Sequence, residues 1–292
     1  MNRLTISAAA LALLTAFVLT PAAFQATPSV EVDPLWPQPL PNHWLLGSVT
    51  GVAVDSQDHV WVVHRGYDSM TARTEIGAAT NPKTADDCCI PAPAVLEFDA
   101  AGKLVSHWGG AGDKYDWPVS PGGITVDAKG NVWITAAGPP DIPGAGRASV
   151  TGARGTAATP TSAAGASGSA ATAGQGGGRG TASTPPKPID AHVLKFSRKG
   201  EFLLQIGKAG APGGNDSTTA LNRPAGVAVD VAANEVYVAD GFANRRVVVF
   251  DATTGAYKRH WGGSGEKPVD GELAAYDPAA PPAAQFRSVG CV

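Results

Sequence analysis

The chain is predicted to be all-β, built from a repeated four-strand unit, and two regularities carry that prediction. A five-residue pattern recurs as Gly51-Val52-Ala53-Val54-Asp55, Gly123-Ile124-Thr125-Val126-Asp127 and Gly226-Val227-Ala228-Val229-Asp230. Each copy leads across a polar turn into a second β-rich run: Val60-Trp61-Val62-Val63, Val132-Trp133-Ile134-Thr135 and Val236-Tyr237-Val238-Ala239. Another pair of runs then follows each time, from Val95 to Gly109, from Val193 to Gly207, and from Val247 to Gly262. Short strands rich in Val, Ile and aromatics, punctuated by Asp, Gly and Asn and repeating in fours, form the pattern of a propeller blade. One such unit buries little by itself, so blades must stack on one another.

In chain order, residues 1–26 read as a secretory signal peptide. Arg3 supplies the charged start, Ala8 to Leu19 the apolar run, and Pro21 to Ala26 a small-residue exit. That run is too short to span a bilayer permanently, so a secreted or periplasmic location is expected, with no membrane contact after signal removal. Residues 27–47 form an extended N-terminal segment. Blade 1 covers 48–110 with an inserted loop at 64–94, blade 2 covers 117–210 with an insertion at 138–188, and blade 3 covers 221–263. Both insertions fall between the second and third strands, which places extra length on one face. The second is nearly all Gly, Ala, Ser, Thr and Pro and is expected to be disordered, because it has no large apolar side chain to offset the entropy of ordering. Residues 286–292 read as the first strand of a fourth blade, at which the pattern breaks off as though truncated.

A net charge of −3 with both signs dispersed excludes the basic footprint a nucleic-acid partner requires. The doublet Arg245-Arg246 is expected to find ion partners at a blade edge. Cys88 and Cys89 are adjacent and Cys291 is odd, so the pair closes a vicinal disulfide, stays reduced or pairs elsewhere. Asp55, Asp127 and Asp230 recur at the first turn of each blade, where a carboxylate bonding nearby backbone N–H groups explains them. Trp61, Trp133 and Tyr237 recur as inter-blade packing, and His107 and His260 precede Trp-Gly at equivalent strand ends. Asn215-Asp216-Ser217 matches a glycosylation acceptor. Neither a Gly-x-Ser-x-Gly elbow nor a His-Glu-x-x-His helix is present.

The residues Gly51–Asp55 with His64-Arg65-Gly66, Gly130-Asn131-Val132-Trp133-Ile134, Arg223-Pro224-Ala225-Gly226, Ala239-Asp240-Gly241-Phe242 and Tyr257-Lys258-Arg259-His260-Trp261-Gly262 resemble NHL-repeat propellers. Within these they are most similar to the peptidyl-α-hydroxyglycine α-amidating lyase branch and its exported bacterial relatives. The resemblance implies six blades, a catalytic zinc held by three histidines, and a structural calcium bound partly by backbone carbonyls. It places the first two zinc histidines at Gly122 and Gly290, within an equivalent set that includes Thr50 and Ala225. The third falls beyond Val292. It places the catalytic tyrosine at Phe242, a carboxylate-binding arginine at Arg65, and the calcium carbonyls at Val52 and Ile124.

Glycine offers no side-chain ligand, and a phenyl ring accepts no proton. Zinc is therefore not expected, and of these catalytic positions Arg65 alone keeps its side chain. The expected role is a binding module that holds a peptide-like or small anionic ligand, or a protein partner, on the loop-bearing face near His64 and Arg65. A peptidylamidoglycolate lyase-like enzyme and a fragment without function are the alternatives.

Overall fold

The computed structural model describes residues 31–66, 90–138, 188–275, 277–279, 281 and 285–292. The signal peptide, Cys88 and Cys89, and nearly all of the 138–188 insertion lie outside the described residues. The chain divides into two compact units, 1–36 and 37–292. In the first, Asp33 closes a short turn by accepting the Leu35 N–H at 2.9 Å.

Among its described residues, the second unit holds three four-stranded antiparallel sheets and one two-stranded parallel pair. The pair joins β1 (Trp44–Leu45) to β4 (Ile90–Pro91). The first sheet is β2 (Val49–Val54), β3 (Val60–His64), β5 (Val95–Phe98) and β6 (Leu104–Trp108). The second is β7 (Pro121–Val126), β8 (Val132–Ala136), β9 (His192–Phe196) and β10 (Phe202–Gly207). The third is β11 (Gly226–Asp230), β12 (Glu235–Asp240), β13 (Arg246–Asp251) and β14 (Tyr257–Trp261). Each sheet pairs its strands in sequence order as an up-and-down meander, with a register shift in its outermost pair. This is an all-β propeller architecture.

The turn chemistry is the same in the first two sheets, whereas in the third Asp230 accepts the Ala233 N–H and Tyr237 donates to Glu235. Asp55 Oδ1 accepts N–H groups from Gln57 and His59 at 2.8 and 3.1 Å, and Asp127 Oδ1 accepts those of Lys129 and Asn131 at 2.9 Å. Their second oxygens accept the indole N–H of Trp61 at 3.0 Å and of Trp133 at 3.1 Å. One carboxylate thus closes the turn and satisfies the buried indole, allowing both tryptophans to be fully buried.

The sheets stack through side chains that alternate along their strands. Trp61, Val63 and Val95 of the first sheet form one cluster with Ile124, Val132, Ile134, Leu194 and Phe196 of the second. Trp133 of the second sheet packs with Val227, Val236, Val238, Val248 and Phe250 of the third. The first strands lie close enough that a Cβ on Gly51 would sit 2.8 Å from the Ile124 nitrogen, so only glycine fits there. Residues 286–292 form no ladder. Val289 instead packs on Ala225, Ala239 and Val247 at the outward side of the third sheet.

Candidate functional site

The antiparallel order puts the starts of β2, β7 and β11 at one end of the sheets, together with the ends of β3, β8 and β12. Both insertions leave and return at that end, which makes it the loop-bearing face. Arg65 follows β3 directly, its backbone N–H donating to Ser48 O at 3.0 Å. His64 beside it is fully buried. Its Nδ1 accepts the Gly47 N–H at 3.1 Å, and its Nε2 donates to Pro93 O at 2.9 Å. Both ring nitrogens are therefore committed to backbone, and neither is left for a metal or ligand. Burial lowers the His64 pKa and outweighs the backbone hydrogen bonds that raise it.

His64 is one of three clamps, set at the ends of β3 and β12 and, in the second sheet, just before β9. In the second sheet Asp190, fully buried, accepts the N–H groups of Val119, Ser120 and Gly138 at 2.9, 2.9 and 3.1 Å. In the third, Asp240 accepts the Asn222 N–H at 2.8 Å and pairs with the buried Arg246 at 2.9 Å. Each clamp grips the segment that leads into the first strand of its own sheet. Arg246 also donates to the carbonyls of Asn215, Ser217 and Ala220, which fixes the loop after the second sheet. Arg246 is thus a structural centre, while Arg245 reaches Gly271 O at 2.6 Å. Asn215 is buried, with its amide on Asp270 Oδ1 and Val269 O, so the folded chain does not present it for glycosylation.

The positions at which the resemblance implies zinc do not fit a metal. Gly122 lies at the start of β7, where a Cβ would meet Thr135 Oγ1 at 2.8 Å and Ala137 Cβ at 3.1 Å. Thr135 cannot readily yield, because its Oγ1 accepts the Gly123 N–H at 2.7 Å and donates to Ala225 O at 3.0 Å. That bridge ties the second sheet to the third. Gly290 is exposed, and nothing lies within 4 Å of the place its Cβ would take. Phe242 is half-buried against the cluster containing Val289 and Ala225, and its N–H donates to Arg223 O. Val52 and Ile124 occupy equivalent places on β2 and β7. Calcium takes roughly six to eight oxygens, so these two carbonyls would supply only part of such a site.

Among the described residues, Asp55, His59 and Glu97 form the group whose ligand atoms converge as a metal site would require. They lie toward the opposite end of the sheets, and a side chain fills them. Arg198, from the β9–β10 turn of the second sheet, pairs with Asp55 Oδ2 at 2.8 Å and with Glu97. Its guanidinium lies over the Trp61 ring, 5.3 Å from the centroid. His59 Nδ1 completes the group at 2.6 Å from Glu97 Oε1. This arrangement joins the first two sheets with an internal cation. Sequence reasoning missed it because Glu97 and Arg198 stand in different repeats and match no motif.

Residues 221–250 match the NHL repeat. The match runs from the approach to β11 through β12 to nearly the end of β13. No curated protein matches the chain. Among solved structures it is similar to a gluconolactonase from Xanthomonas campestris, at 15% identity and a TM-score of 0.36, covering 73% of this chain. It spans 47% of that protein's length, about half. It is also similar to the computationally designed Ika4 protein, at 12% identity and a TM-score of 0.32, covering 77% of this chain and 81% of that one. A third similar structure is apo AztD from Citrobacter koseri, at 10% identity and a TM-score of 0.24, with 77% and 49% covered.

Proposed function

We propose that this chain is an exported binding propeller that holds a peptide-like or small anionic ligand on its loop-bearing face through Arg65. The observation that carries the reading is the packing at Gly122. Where a lyase of the resembled branch needs a zinc histidine, this chain has a glycine sealed by the Thr135 hydroxyl and Ala137. The residue has become part of the contact between sheets, and Phe242 supplies no proton acceptor where a tyrosine would. Arg65 keeps the planar fork suited to a carboxylate. His64 fastens the neighbouring backbone at Gly47 and Pro93 rather than touching ligand.

The test uses a peptidyl-α-hydroxyglycine as probe, with metal analysis of the purified secreted chain. The expected result is saturable binding without turnover and no stoichiometric zinc. Arg65→Ala should weaken binding by about ten-fold, the loss of one charge-assisted hydrogen bond pair. Release of glyoxylate by a chain holding one zinc would overturn the reading in favour of a lyase. Export is checked by the N-terminal mass of protein recovered from outside the cytoplasm.

A further inference from the structure

A cleft of about 450 Å³ opens on the loop-bearing face, between the turn at residues 112–116 and the end of β10. Its volume falls within the span of small-molecule sites, roughly 300–1,000 Å³. Two acidic and two basic side chains share its lining: Asp113, Asp116, Lys114 and Lys208. Asp116 is held in place from two sides. Its Oδ2 accepts Gln205 Nε2 at 2.9 Å and the Ala209 N–H at 3.4 Å, while its own N–H donates to Gln205 Oε1 at 2.9 Å. Beneath it, the buried His192 donates from Nε2 to Asp116 O at 2.6 Å. The hydrogen bond from Gln205 is the main cause that keeps the Asp116 carboxyl below its usual range, so it is charged at neutral pH.

What this frame leaves over is specific. Among the described residues, Asp116 Oδ1 accepts no hydrogen bond, and neither lysine ammonium is engaged in a hydrogen bond or ion pair. Tyr115 gives the cleft a rigid aromatic wall. Its ring is stacked 5.2 Å from Phe202, and its hydroxyl donates to Gly110 O at 3.1 Å. With Asp113 counted, the cleft carries two acidic and two basic side chains and is electrically balanced, Lys208 helping to lower the Asp116 pKa, so it suits a ligand that carries both signs.

We propose that this cleft is a second binding site, for a short zwitterionic peptide whose ammonium group meets Asp116 and whose carboxylate meets Lys114 and Lys208. The site is separate from Arg65 and goes beyond the function proposed above. Charged groups that pair with a ligand strengthen its hydrogen bonds relative to neutral ones. Capping both ends of the peptide removes that gain and leaves its shape nearly unchanged.

The probe is dialanine, titrated calorimetrically into the full chain, beside the capped dipeptide Ac-Ala-Ala-NH2. Dialanine should bind one-to-one, and the capped peptide at least about five-fold more weakly. Lys208→Gln should lose a similar factor, since this exposed side chain supports no fold contact, and Asp116→Asn should lose as much or more. Absence of saturable binding, equal affinity for both peptides, or an unchanged Lys208→Gln variant would each overturn the proposal. Arg65→Ala must bind dialanine like the parent chain. Loss of dialanine binding in that variant would move the peptide to Arg65 and sink this site alone. Failure of the α-hydroxyglycine probe with dialanine binding intact would sink the Arg65 reading alone.

Discussion

His64 shows how a side chain that draws the eye as a ligand becomes a hinge pin. Its two hydrogen bonds require a neutral ring, accepting at Nδ1 and donating at Nε2. Its folded-state pKa lies below the ordinary 6.5, so the unfolded chain binds the proton more readily. Stability from this residue is complete above about pH 6.5 and falls as the pH drops below that value, the sign expected for a depressed histidine. Thermal melts at pH 7.5 and 5.5 should show a lower midpoint in acid. His64→Gln, which removes the titrating ring, should flatten that slope while lowering the midpoint at pH 7.5. Burial also lowers the pKa of His192 and outweighs the neighbouring carboxylates that raise it, so part of the slope should survive in the variant. Asp127 acts further down the scale. Burial raises its pKa, but the hydrogen bonds from Asn131, Trp133 and Lys129 outweigh it and hold the carboxyl below 3.8, so its contribution disappears only as the pH falls beneath that value.

At the scale of elements, the strands were legible because β-branched residues recur with polar turns at fixed offsets, and each repeat supports the reading of the next. Val52, Ile124 and Val227 each follow the repeated glycine directly, and they occupy equivalent places on β2, β7 and β11. The β1–β4 pair was not legible, since two residues on each side carry no period and their partners lie far apart in sequence. The clamps escaped for the same reason. Asp190 looks like the end of an insertion until Val119 and Ser120 are brought beside it, and Arg246 looks like a surface charge until it meets the loop at Asn215–Ala220. Two substitutions test these contacts through chemical denaturation. Arg246→Ala strands the buried Asp240 carboxylate and three carbonyls, and should cost about 3–5 kcal/mol. Gly51→Ala drives a methyl into the backbone of β7 and should cost about 1–3 kcal/mol, with its effect on the contact between the first two sheets.

Across the whole molecule, one stacking operation carries the first sheet to the second and the second to the third. Where it has a partner it buries its apolar strand positions, as at Ile124 and Val227. The matching Val52 on the first sheet stays 59% exposed. Along the outer part of that sheet the N-terminal segment does the covering, with Trp44 edge-on to His107 at 4.7 Å and Gln38 bonded to Gly102 and Ala101. The three clamps add a sense of time to this plan. In each sheet the gripped amides, at Gly47, at Val119 and Ser120, and at Asn222, come first in the chain, and the gripping side chain comes later. A ribosome therefore releases the lead-in well before the residue that fastens it. Each sheet stays unlatched until its second strand, or for Asp190 the approach to its third, has emerged. The chain would thus lock one sheet at a time from its N-terminal end, each finished sheet offering a surface on which the next can settle.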